Sequence, residues 1–134
     1  MTSTKKFNWI WIFKLIAAVI MLQTLYFKFS GAEESIYIFT QLGIEPYGRI
    51  GIGVMELIAS ALILIPRTAL LGAILGVGLM LGAIFSHVTQ LGIVVQNDGG
   101  KLFALAVIVL LSCLMIVFYY RKQLFKLQVL APKP

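Results

Sequence analysis

The chain has 134 residues, 60% of them hydrophobic and 12% charged, with a formal net charge of +6. Soluble domains carry about 25% charged residues, so this composition argues against a monomeric soluble enzyme. Its apolar content also excludes disorder, and its length suits about four membrane-spanning helices of ~20 residues each.

The spans follow in chain order. The first covers residues 9–29 and carries Lys14, Gln23 and Lys28. No small-residue cleavage site follows Lys5 and Lys6, so it is expected to be retained and not removed as a signal peptide. Residues 32–43 mix Ile36, Phe39 and Leu42 with Glu33, Glu34 and Gln41, the pattern of a short amphipathic helix lying on the outer surface or folding back over the bundle. The second span, 47–65, lies between Pro46 and Pro66 and contains Arg49 and Glu56. Pro66-Arg67-Thr68 then reads as a tight hairpin turn into the third span, 69–91. Gln96-Asn97-Asp98-Gly99-Gly100 is a turn signal, with Asp98 placed to cap the fourth span, 102–120. A basic tail, 121–134, closes a single integral-membrane domain. Backbone groups cannot go unpaired in lipid, so the apolar runs are helices. The fold class is all-α: a four-transmembrane-helix bundle.

The charges mark topology. Lys5, Lys6, Arg67, Arg121, Lys122, Lys126 and Lys133 fall on one side, whereas Lys28, Arg49 and Lys101 share the other with the acidic loop residues. The positive-inside rule puts both termini in the cytoplasm. Basic residues that flank apolar runs form no separate polar face, so no nucleic acid is expected as a partner. The single cysteine, Cys113, excludes a disulfide within the chain and reads as an apolar filler. No metal site is expected.

Glu56 stands out. It lies about 13 Å below the end of its helix, and a carboxylate on the lipid face there costs at least ~2.5–3.5 kcal/mol. It must face the bundle, be protonated or pair with a cation, Arg49 and Lys28 being the candidates. Helical spacing aligns Arg49, Gly53, Glu56 and Ser60. Gln23 and Lys28 end the first span, and His87 ends a stripe with Gly72 and Gly76 on the third. Together Glu56, Arg49, His87, Gln23 and Lys28 define an expected polar pocket in the outer half of the bundle. Gly53, Gly72, Gly76 and the second row, Gly78 and Gly82, are expected to permit close helix packing. The fourth span, without a polar group of this kind, is expected to seal the bundle or face lipid. Plainer roles exist: Lys28 snorkelling to headgroups, Arg49 anchoring in phosphate, His87 as a structural side chain.

The order of these features resembles the DoxX family of small four-helix membrane proteins. It rests on Tyr26-Phe27-Lys28-Phe29-Ser30-Gly31, Leu42-Gly43-Ile44-Glu45-Pro46, Gly51-x-Gly53-x-x-Glu56, Pro66-Arg67-Thr68, Phe85-Ser86-His87-Val88-Thr89 and Asp98-Gly99-Gly100. The resemblance implies a bacterial cytoplasmic (inner) membrane protein associated with quinone-linked or thiol redox systems. The lone Cys113 departs from relatives with a cysteine pair, against direct thiol–disulfide chemistry.

Three functions compete. The first is a redox accessory subunit whose pocket handles a membrane quinone, the one cofactor expected. The second is a non-catalytic assembly subunit, contacting other membrane subunits or copies of itself through its glycine faces. The third is a small proton-coupled transporter, which the basic neighbours of Glu56 disfavour because they repel a cationic substrate.

Overall fold

A computed structural model describes residues 8–123. The expectations for Lys5, Lys6, Lys126, Lys133 and the end of the basic tail lie outside the described residues. Five α-helices follow in order: α1 Ile10–Ser30, α2 Glu33–Gln41, α3 Tyr47–Leu64, α4 Ala69–Ser86 and α5 Lys101–Tyr119. Four segments are long and apolar enough to cross a membrane: α1, α3, α5 and Pro66–Leu91, which includes α4. Their outward faces carry apolar side chains such as Ile12, Leu15, Val19 and Leu22 on α1, and Leu71 and Leu81 on α4. Side chains of this kind lose nothing by facing hydrocarbon.

The helices form a ring. α1 packs on α3 and α5, and α4 packs on the same two from the opposite side. Proline explains the α3–α4 hairpin, because Pro66 has no N–H to continue α3. A 3₁₀ turn, Pro66–Thr68, follows, and the Thr68 hydroxyl donates to the Leu62 carbonyl at 2.8 Å. At the other end Gly31 closes α1 at φ +69°, its N–H on the Phe27 carbonyl. That left-handed conformation costs glycine nothing. α2 covers nine residues of the amphipathic segment. Ser35 and Phe39 are buried whereas Ile36 is exposed, because α2 must cover α1, α3 and the end of α4 together.

Packing divides the bundle into two halves. In the half nearest the Pro66 turn the helices meet closely around Ile10, Ala17, Ala59, Ile63, Ala73, Cys113 and Ile116. Gly72 makes this possible. A Cβ there would lie 2.7 Å from the Ile63 nitrogen and 2.8 Å from the Ala59 carbonyl oxygen, so α3 and α4 touch backbone to backbone. Gly76 likewise admits the Cys113 sulfur, 2.6 Å from where its Cβ would be. Trp9 meets Tyr119 edge-on at 5.3 Å, closing α1 on α5. Lys14, expected merely near a span end, is buried in this half. Its ammonium lies 4.3 Å from the Trp11 ring and 5.0 Å from that of Tyr120, where the aromatic quadrupoles partly replace water.

Candidate functional site

In the other half the helices enclose a cavity of about 640 Å³. This lies within the ~300–1,000 Å³ range of small-molecule sites. Ile20, Met21, Leu79, Met80, Leu105 and Val109 form apolar wall, whereas Gln23, Thr24, Lys28, Glu34, Glu56 and His87 contribute polar groups. α2 supplies Ser35, Ile38 and Phe39 to the same lining, and α5 supplies Lys101, Leu102 and Ala106. The fourth span is therefore a cavity wall and not only a seal.

Glu56 is the centre of the polar group. Helical spacing places it on the buried stripe of α3 with Gly53 and Ser60. Gly53 lets α1 come close, since a Cβ there would lie 2.7 Å from the Phe29 ring. That approach brings Lys28 Nζ to 3.2 Å from Glu56 Oε2. The Thr24 hydroxyl, one helical turn earlier, lies 3.1 Å from the same oxygen and 2.9 Å from the Met21 carbonyl, so its one hydrogen is shared between the two. A buried carboxylate is tolerable here because a cation and a hydroxyl replace its hydration.

Arg49, the other candidate partner, does not reach Glu56. Its Nε donates to Glu45 Oε1 at 2.9 Å, and its Nη1 donates to the Lys28 carbonyl. An i,i+4 acidic neighbour and an unpaired carbonyl at the end of α1 hold the guanidinium away from the cavity lining. Arg49 thus ties α1 to α3 outside the pocket. Gln23 lines the cavity but is itself exposed.

His87 lines the cavity from the end of α4 and is 5% exposed. From this residue the helix widens into a π-helical turn, His87–Leu91. Apolar periodicity over residues 69–91 gives no sign of that change. Phe103 meets the imidazole edge-on, with ring centroids 5.7 Å apart. Below it the loop is organised by Asp98, whose carboxylate accepts from the N–H groups of Val95, Gly100 and Leu102 at 3.0, 2.8 and 3.2 Å. Partial burial opposes its ionisation, but these three donors outweigh that effect and hold its pKa below the usual carboxylate range.

The expected glycine rows separate. Gly53, Gly72 and Gly76 are contact positions. Gly78 and Gly82, expected to pack against a helix, line the cavity, and a Cβ at either would meet nothing within 4 Å. They widen the pocket. Sequence reasoning passed over Glu34, Ser35, Gln96 and Lys101 as pocket residues, since each looks like loop or helix-end polarity until α2 and the loop before α5 fold over the mouth. Among the described residues, no three His, Cys, Asp or Glu side chains gather as metal ligands would.

No curated protein and no solved structure matches this chain. A family model does: that of the DoxX-like family, over residues 12–117. This match takes in all but the outermost residues of the membrane-spanning helices and both halves of the Lys28–Glu56 pair, and the chain belongs to the DoxX-like family.

Proposed function

We propose that this membrane protein is an accessory subunit of a quinone-linked redox system, holding the quinone in the cavity between its helices. One observation carries this reading: a single cavity of about 640 Å³ combines long apolar walls with the Lys28–Glu56–Thr24 group and His87. A molecule that fits both parts has a small polar head and an apolar tail. Bound there, a quinone supplies a two-electron, two-proton couple. Lys28, Glu56 and His87 would surround its head, while Ile20, Leu79, Leu105 and Val109 would line the tail. Glu56 and His87 are groups able to hold a proton beside the ring. Electrons would come from a partner protein, which is why the role is an accessory one.

This reading adopts the positive-inside orientation, with both termini in the cytoplasm of a bacterium and the cavity in the outer half of its inner membrane. The test is extraction. Protein purified in mild detergent should release about one quinone per chain, and Gly82→Leu, which fills the open space at Gly82, should lower that yield severalfold without loss of folding. Quinone absent from folded wild-type protein, prepared from quinone-replete membranes, would sink the proposal.

A further inference from the structure

His87 and Gly92 are tied together twice. The Gly92 N–H donates to the His87 carbonyl at 2.7 Å, the i to i+5 bond of the π-helical turn. In return His87 Nδ1 lies 2.9 Å from the Gly92 carbonyl oxygen. A carbonyl oxygen only accepts, so Nδ1 carries the hydrogen and Nε2 of the neutral ring is a lone-pair acceptor. Gly92 closes this ring at φ +80° and ψ 166°, a backbone region open essentially to glycine alone. The imidazole is thereby fixed in tautomer as well as in position.

Glu56 is similarly one-sided. Both of its polar contacts, with Lys28 and Thr24, fall on Oε2. Neither Oε1 nor His87 Nε2 takes a hydrogen bond from a described residue, and no side-chain polar atom among those residues is both buried and unpartnered. The two atoms are therefore open to the cavity that both residues line. Donors line the cavity too: Lys28 gives Glu56 one of its three N–H groups, and Ser35 and Gln23 share the lining, but the oxygens of a hydroquinone and of a dione both accept from such groups. Lys101 and Gln96 are exposed.

We infer that the cavity selects the reduced, dihydroxy form of the ring over its dione form, with hydroxyl groups donating to Glu56 Oε1 and His87 Nε2. The inference rests on the quinone reading above and adds the form of the ligand. A dione offers only acceptors to two acceptors, whereas a hydroquinone satisfies both. A hydrogen bond to a charged or preorganised group contributes about tenfold in affinity.

The test uses the full-length protein in lipid nanodiscs, titrated calorimetrically with a short-chain benzoquinol, the matching benzoquinone and the quinol's bis-O-methyl ether. The quinol should bind about tenfold more tightly than the quinone, and the ether no better than the quinone. Preferential binding of the reduced form should raise the midpoint potential of the bound couple by about 30 mV for that tenfold ratio. His87→Phe should weaken the preference. Glu56→Gln should shift it toward the quinone, because the amide can donate, a change that a merely structural role would not produce. Where Glu56→Gln fails to fold, the double variant Lys28→Met/Glu56→Gln serves instead. Equal affinity for quinol and quinone overturns the inference and leaves the quinone reading standing. Binding of neither by folded wild-type protein overturns both.

Discussion

At the scale of single residues, the Lys28–Glu56 pair decides how the bundle tolerates charge. Each side chain is largely withdrawn from solvent, so removing one leaves the other uncompensated. Breaking a buried pair costs about 3–5 kcal/mol, whereas replacing both partners with neutral groups costs far less. Lys28→Met should therefore lower the melting temperature in detergent markedly, and Lys28→Met/Glu56→Gln should recover much of the loss. Strictly additive losses would show that the pair is not coupled. That Glu56 matters was legible from its depth alone, because lipid leaves a carboxylate few options. Its choice of partner was not. Helical arithmetic puts both Lys28 and Arg49 within reach, and the outcome turns on Glu45, which engages Arg49 four residues away, and on the approach of α1 at Gly53.

At the scale of helices, α4 carries two glycine rows with opposite consequences. At Gly72 an added methyl meets the backbone of α3, which cannot rotate aside. Overpacking of this kind costs about 1–3 kcal/mol, so Gly72→Ala should destabilise the protein. At Gly78 the methyl meets open space, and alanine is favoured over glycine within a helix by about 0.5–1 kcal/mol. Gly78→Ala should thus leave the melting temperature unchanged or raise it. Equal destabilisation by the two would mean that Gly78 is a packing position after all. The rows look alike in sequence, since a small residue every fourth position permits both a close contact and a wide pocket. That the four apolar runs are helices was legible, because the demand for internal backbone pairing leaves no other choice. The inward face of α2 was harder to read. It serves three neighbours at once, and apolar spacing over nine residues does not say which will dominate.

For the molecule as a whole, the open matter is its direction in the bilayer. Arg67 lies in the α3–α4 turn, while Arg121 and Lys122 follow α5 at the same end of the bundle. Lys28, Arg49 and Lys101 belong to the cavity end, where Glu45 and Glu56 offset two of them. A free positive excess at the Pro66 end favours retention of that end in the cytoplasm. Reporter fusions should give a fluorescent, phosphatase-inactive product at the C-terminus and the reverse when the fusion follows Asn97. The opposite pattern would invert the proposed orientation and place the pocket in the inner half.

The division into a tightly packed half and a hollow half also sets where the protein can yield. Opening the mouth around α2 disturbs few buried apolar contacts, while the backbone-to-backbone contact at Gly72 and the core beyond it stay intact. The bundle behaves like a fork, its tines joined at the handle. Regions with few buried apolar contacts open at lower free energy than the whole molecule unfolds, so the tips can part while the handle keeps the tertiary structure.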